Sequence, residues 1–194
     1  MSGRVRIIGG KWRSRLLSFP SVDALRPTPD AVRETAFNWL SQSIEGMACL
    51  DLYAGSGALG FEAVSRGAQS AVLVEKNTKV VKALRASKEL VDSADQIEIT
   101  ACAGLEYIAT TVRKFDLIFL DPPFASDELA KACYHIDKMN LLNLDGLVYL
   151  ESPSDLKKLP IPDTWVVLKQ AHKGAVSYTL AQFKTTKEIS PIDV

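Results

Sequence analysis

Residues 47–66 read MACLDLYAGSGALGFEAVSR, and this stretch decides the fold. Met47–Tyr53 is a short apolar run carrying Asp51 near its end, Gly55 and Gly57 interrupt it, and from Ala58 to Arg66 apolar residues recur at spacings of three and four. A buried strand, a glycine turn and a helix in that order open a parallel βαβ unit. The glycines let the backbone pass close to a ligand, and the helix N-terminus offers N–H groups that have no partner inside the helix.

The same rhythm continues downstream. Ser70–Glu75, Gln96–Ala101, Phe115–Asp121 and Leu144–Glu151 read as buried strands, and Thr78–Val91, Gly104–Arg113 and Asp127–Asn140 as the helices between them. Strands alternating with helices predict a doubly wound, Rossmann-like α/β fold, in which ligands bind outside the carboxyl ends of the strands. Glu75 ends the second core strand 20 residues after Gly55, where a carboxylate can accept both hydroxyl hydrogens of a ribose. An adenosine-containing cofactor is therefore expected, and NAD and S-adenosylmethionine both fit these residues. Asp51 tilts the choice toward S-adenosylmethionine. A buried carboxylate is ill suited to a pyrophosphate and well suited to orienting a loop near a cationic methionine end.

Asp121-Pro122-Pro123-Phe124 follows the fourth core strand at the same edge of the sheet. This string explains a methyl transfer to a nucleobase amine, a poor nucleophile because its lone pair is delocalised into the ring. If the Asp121 carboxylate and the Pro122 carbonyl accept the two amino hydrogens, the lone pair is aimed at a sulfonium methyl. The prolines hold both acceptors rigid, so positioning and electrostatics supply the catalysis. Phe124 offers a face on which an extruded base can stack.

Upstream, VRIIGGKWRSRLL has two basic, alternating runs around Gly9-Gly10, which predicts a β-hairpin. Arg26-Pro27-Thr28-Pro29-Asp30 is a stiff loop leading into a helix at Ala31–Leu40, with Thr28 or Asp30 as its cap. Downstream, Pro153, Pro160 and Pro162 break the chain, Trp165–Lys169 and Ala175–Phe183 form a closing hairpin around Gly174, and KTTKEISPIDV reads as a tail. The organisation predicted is a single domain over 1–194: a basic hairpin (1–22), a covering segment and helix (23–46), a core (47–183) and a tail (184–194).

The 194 residues carry 23 basic and 23 acidic side chains, but the charge is unevenly spread. The first 22 residues hold five cations and no carboxylate. Such an arm either binds a polyanion by releasing phosphate counterions or is a solvated surface. Trp12, between Lys11 and Arg13, either stacks on a base or packs the hairpin onto the domain. Three cysteines and two histidines are too few and too scattered for a zinc cluster, and their odd cysteine count argues against a disulfide framework. No apolar run approaches membrane-spanning length, and the start lacks the apolar core of a signal peptide, so a cytoplasmic protein is expected.

The glycine loop together with DPPF resembles the class I S-adenosylmethionine-dependent amino-methyltransferases. RIIGGKWRSRLL, LRPTPDAVRETAFNWL and LDLYAGSGALGFEAVSRGA narrow the resemblance to the bacterial 16S ribosomal RNA guanine-N2 methyltransferase D (RsmD) family, over nearly the whole chain. It implies a seven-stranded, mostly parallel sheet with an N-terminal hairpin, and S-adenosylmethionine as the cofactor; a monomer without a metal is expected. The implied substrate is the N2 amine of one guanine in 16S ribosomal RNA, met on the 30S subunit.

By matched motif, Asp51, Ala54, Gly55, Ser56 and Gly57 would line the methionine end beside Tyr53, with Glu75 and Lys76 at the ribose. Asp121, Pro122, Pro123 and Phe124 would form the catalytic loop. Thr28, Arg26 and Arg33 fall in the segment that covers the pocket, and Arg4, Arg6, Lys11, Trp12, Arg13, Arg15, Arg26 and Arg33 would meet RNA. Where many class I methyltransferases put an Asp for the adenine amine, this chain has Cys102-Ala103, so adenine would lean on backbone groups such as the Ala103 N–H.

Three alternatives remain open. The same cofactor chemistry could serve adenine N6 of DNA or a protein glutamine, although a chain of this length leaves little room for a DNA target-recognition domain. A catalytically idle RNA-binding assembly factor would have no reason to keep Asp121, Gly55, Gly57 and Glu75 together. A nicotinamide oxidoreductase would lack a use for DPPF.

Overall fold

The computed structural model describes residues 2–22, 28–41, 43–93, 95–124 and 126–184. Arg26, expected to cover the pocket, and the tail beyond Lys184 lie outside them. Seven strands form the main sheet: β3 (Ala48–Asp51), β4 (Ser70–Val74), β5 (Ile97–Thr100), β6 (Phe115–Leu120), β7 (Leu142–Pro153), β8 (Trp165–Lys173) and β9 (Val176–Phe183), ordered β5-β4-β3-β6-β7-β9-β8. The first five in that order are parallel, and β9 runs antiparallel between β7 and β8. The order reverses between β3 and β6, which is the switch point where such sheets open a crevice.

The crossover helices are α2 (Ala58–Ser65), α3 (Thr78–Leu90), α4 (Gly104–Thr110) and α5 (Glu128–Lys138), and α1 (Asp30–Leu40) precedes the sheet. Strand residues alternate between two faces. Cys49, Leu73, Leu117 and Phe119 pack with Phe37 of α1, Phe61 of α2 and Leu84 of α3. Leu50, Val72, Ile118 and Leu120 pack with Ile108 of α4 and Ile136 of α5. Covering both faces is what a parallel sheet requires and why its strands read as unbroken apolar runs. Among the described residues no helix is long and apolar enough to cross a membrane.

The N-terminal hairpin pairs β1 (Ser2–Arg6) with β2 (Leu16–Pro20) as a separate two-stranded sheet. The hairpin expected around Gly9-Gly10 is present, with a connection that runs from Ile7 to Arg15. Ile7 and Ser14 close it through Ile7 N–H to Arg15 O and Ser14 N–H to Ile7 O, both 2.9 Å, around a single 3-10 turn at Gly10–Trp12. The glycines serve docking. Gly10 has φ +74°, and a Cβ there would lie 1.8 Å from the Ser65 carbonyl oxygen at the end of α2.

A buried polar cluster bolts this hairpin to the domain. Glu62 of α2 accepts hydrogen bonds from the Ile8 and Gly9 N–H groups, each 2.7 Å, and from Arg66 Nε at 2.7 Å. Arg33 of α1 lies 3.5 Å from the same carboxylate through Nη1, and its Nη2 donates to the Arg6 carbonyl (2.8 Å) and to Asp30 (2.7 Å). Both Arg33 and Glu62 are 0% exposed. Asp30, expected as the cap of α1, is its first residue and is used in this ion pair, while the N-cap Pro29 supplies no side-chain cap. The other expected cap, Thr28, turns toward the sheet.

Candidate active site

The carboxyl ends of β3, β4, β6 and β7 converge on a cavity of about 870 Å³ at the switch point. That size falls in the upper part of the range for small-molecule sites. The structure brings into its wall Thr28, Asp51, Tyr53, Ala54, Gly55, Ser56, Glu75, Lys76, Cys102, Ala103, Asp121, Pro122, Pro123 and Phe124. Gly57 does not line it. Its φ of +78° makes the turn into α2, its N–H donates to Ala54 O at 2.7 Å, and a Cβ would strike Leu84 and Phe61 at 2.7 Å.

The glycine loop is braced by two carboxylates. Asp51 Oδ2 accepts the Gly60 N–H at 3.0 Å, which ties the end of β3 to the first turn of α2. Burial pushes the Asp51 carboxyl up to about 7; the Gly60 N–H opposes this, and nearby Asp121 and Glu75 reinforce it. Glu75 uses Oε2 on the Gly55 N–H (3.1 Å) and Oε1 on the Asn77 N–H (2.7 Å). Each carboxylate oxygen keeps a further lone pair, so Glu75 can still accept hydroxyl hydrogens. Ala103 is the N-cap of α4 with no side-chain cap bond, and Cys102 beside it is partly buried.

A pH prediction follows from Asp51. A carboxyl whose folded pKa is raised stabilises the protein below its unfolded value, near 3.8, and loses that contribution as pH rises toward about 7. Without ligand, Asp51→Asn should gain on the native chain between pH 5 and pH 7, by at most about 1.4 kcal/mol per pH unit. Urea unfolding of both chains at the two pH values checks this, and a gap that does not change with pH would contradict it.

At the other end of the cavity, Asp121 follows β6. Thr28 Oγ1 donates to Asp121 Oδ2 at 3.4 Å, so the segment before α1 touches the loop that follows β6. Burial raises the Asp121 carboxyl above its usual range, with the Thr28 hydroxyl opposing. Pro122 is buried, whereas Phe124 stands 42% exposed at the mouth. The Ser126 N–H and hydroxyl both bond the Pro123 carbonyl, at 3.2 and 2.7 Å, which closes the turn after the prolines.

Sequence reasoning missed Glu151. It lines the same cavity from β7, 4% exposed, and accepts the Tyr149 hydroxyl at 2.9 Å. The signal was present: Asp51, Glu75 and Asp121 all end core strands, and Glu151 is the fourth such carboxylate. Among the described lining residues five are acidic (Asp51, Glu75, Asp121, Glu128, Glu151) and one, Lys76, is basic. Among the described residues no cluster of three or more His, Cys, Asp or Glu is arranged to hold a metal.

The expected RNA-facing residues divide. Arg4, Arg6, Lys11, Arg13 and Arg15 are exposed. Lys11 also bonds Gln96 Oε1 and stands 4.5 Å over the Trp12 ring. Two expectations need correction. Arg33 cannot meet RNA because its guanidinium is enclosed between Glu62, Asp30 and backbone carbonyls. Trp12 is buried against Phe61, with ring centroids 6.4 Å apart, so it packs the hairpin rather than stacking on a base.

The strand order, the glycine loop and the DPPF turn on one rim define a class I methyltransferase fold. Two solved structures superpose closely. A putative methyltransferase from Escherichia coli is 33% identical with a TM-score of 0.86, covering 95% of this chain and 100% of that one. A putative methylase from Haemophilus influenzae is 37% identical with a TM-score of 0.81, covering 94% and 100%. The family described as conserved hypothetical protein 95 matches residues 5–182. A Haemophilus influenzae protein named ribosomal RNA small subunit methyltransferase D is 39% identical over 183 residues, 93% of this chain and 94% of its own length. The Escherichia coli K12 protein of the same name is 36% identical over 181 residues, 93% and 91%. The chain belongs to this ribosomal RNA small subunit methyltransferase D family.

Proposed function

We propose that the protein transfers the methyl group of S-adenosylmethionine to the exocyclic N2 amine of one guanine in 16S ribosomal RNA, in the cytoplasm and on the 30S subunit. The observation that carries this reading is the meeting of the glycine loop and Asp121-Pro122-Pro123-Phe124 in one cavity. Its acidic wall supports a sulfonium cofactor, because a dinucleotide pyrophosphate would be repelled by it. The relatives' names support ribosomal RNA as the substrate. The protein is proposed to act as a monomer.

Ser56, Ala54 and Gly55 would hold the methionine end, Glu75 and Lys76 the ribose, and Cys102-Ala103 the adenine edge. When bound, the cofactor supplies an electrophilic methyl on a cationic sulfur. Asp121 and the Pro122 carbonyl accept the amine hydrogens and orient the nitrogen lone pair, and Phe124 stacks on the base. The proton released once the nitrogen is alkylated passes to the Asp121 carboxylate or to water.

The test is methyl transfer from labelled S-adenosylmethionine to 30S subunits, naked 16S RNA, DNA and total protein. Label in the 30S RNA is expected. Label only in DNA or protein, or none despite tight cofactor binding, would overturn the reading, the last in favour of an idle assembly factor.

Arg4, Arg6, Arg13 and Arg15 are the proposed phosphate contacts. Val22, two residues beyond β2, and Thr28 line the cavity, so the hairpin leads directly to its mouth. Replacing all four arginines with Ser should weaken RNA binding and reduce the slope of log K against log salt by about three. Filter binding across a salt series reads this slope, and an unaltered one would remove the hairpin from the interface.

A further inference from the structure

We propose that Glu151 reads the N1–H of the target guanine, so that two adjacent carboxyls, Asp121 and Glu151, match an edge presenting two adjacent donors. This inference rests on the amino-methyl transfer proposed above and goes further by explaining the choice of base.

The geometry comes from the sheet. Leu120 of β6 pairs with Leu150 of β7, so the next residues, Asp121 and Glu151, emerge side by side from neighbouring strands. Such strands lie about 4.8 Å apart. The Thr28 hydroxyl donates to Asp121 at 3.4 Å, in the wall of the same cavity as Glu151.

Glu151 has no structural reason to be there. A buried carboxyl is costly unless paired, and the chain's other wholly buried glutamate, Glu62, has Arg33 and Arg66 on it. Among the described residues no cation pairs with Glu151. Its one closely bonded donor is the buried Tyr149 hydroxyl, which fixes the side chain toward the cavity rather than neutralising it. A buried, oriented carboxyl facing open space is a group kept for a ligand.

Base chemistry selects that ligand. If Asp121 and the Pro122 carbonyl take the hydrogens of an amine, the atom next to it on the ring decides which base fits. In adenine and cytosine the ring nitrogen beside the amine is an acceptor, which would face a carboxyl oxygen. In guanine it is N1–H, a donor, with O6 beyond it. Burial and the neighbouring Asp121 both raise the Glu151 carboxyl toward its neutral form. The ionised carboxyl can only accept and so requires N1–H, whereas a neutral one could turn its O–H toward a ring acceptor, so the discrimination belongs to the ionised form.

The test uses 30S subunits reconstituted around 16S RNA ligated with guanine or 2-aminopurine at the methylated position. 2-Aminopurine keeps the amine and lacks N1–H and O6. Assayed at about pH 9, above the Glu151 titration at about 8, the native chain should methylate it about 100-fold less efficiently in kcat/KM, the loss expected when a buried polar group is left unpaired. In Glu151→Gln, whose amide can donate to an unprotonated N1, the discrimination should shrink to about 10-fold or less, with S-adenosylhomocysteine affinity unchanged. Comparing the two chains cancels any intrinsic difference in reactivity between the amines. Undiminished discrimination in Glu151→Gln, or equal methylation of both bases by the native chain, would overturn the proposal. The native-chain comparison decides alone if the variant does not fold. Failure of the underlying reading looks different: the native chain would then leave the guanine amine unmethylated.

Discussion

Asp121→Ala is expected to lose about 10²- to 10³-fold in kcat while binding S-adenosylmethionine as well as the native chain, the loss seen when one preorganised group is removed from a transition state. The separation follows from the cavity's layout. The glycine loop, with Asp51 and Glu75 bracing it, lies at the ends of β3 and β4, whereas Asp121 extends from β6 toward Thr28 and Phe124. Removing the Asp121 carboxyl leaves the cofactor half intact and deprives the amine of the acceptor that orients its lone pair. Asp121→Asn keeps one acceptor oxygen and should be milder, at roughly 10-fold. Only ionised Asp121 can accept from both its oxygens, and burial raises its pKa. The native kcat should therefore fall on acidification, through a pH above that of an ordinary carboxylate. Single-turnover rates with saturating cofactor measure this, and full activity of Asp121→Ala would refute the assigned role.

Glu62→Ala should destabilise the protein by about 3–5 kcal/mol, the usual result of removing one partner from a buried ion pair. Three donors bond that carboxylate, the Ile8 and Gly9 amides and Arg66, and Arg33 pairs with it at 3.5 Å. Without it, the wholly buried guanidinium of Arg33 keeps Asp30 and the Arg6 carbonyl but loses its buried counter-charge. The hairpin would also lose its side-chain anchor on α2 except for Ser65, whose Oγ accepts from Trp12 N–H and donates to Gly9 O. Urea unfolding gives the stability change, and limited proteolysis should show cleavage between β1 and β2. A loss under about 1 kcal/mol would mean that the cluster is not the anchor described.

The core was legible because parallel strands buried on both faces carry an unmistakable pattern. Ser70–Val74 and Phe115–Leu120 fell within a residue of the expected spans, and the glycine loop announced the switch point. Glu75 and Asp121 were visible because each interrupts an apolar run at its end. Glu151 was equally visible but read as a strand terminator, whereas β7 continues to Pro153, carrying the carboxyl into the cavity wall. Arg33 failed for a different reason. Its burial depends on Glu62, 29 residues away, and on backbone carbonyls of the hairpin and the α1 approach, which no local pattern encodes. Trp12 was undecidable from sequence because a tryptophan flanked by cations suits packing and stacking equally; Phe61 settles it. Thr28 reads from the sequence both as a cap and as part of the pocket cover; the first role fails, because β6 brings Asp121 within reach of its hydroxyl in the cavity wall.

The central claim is that Asp121 and Pro122 present a guanine amine for methylation, and its most direct test is the identity of the modified nucleoside. RNA from 30S subunits methylated by the native chain would be digested to nucleosides and resolved against standards. The account predicts that all enzyme-dependent label co-elutes with N2-methylguanosine and disappears with Asp121→Ala. Label in N6-methyladenosine or any other nucleoside would contradict it.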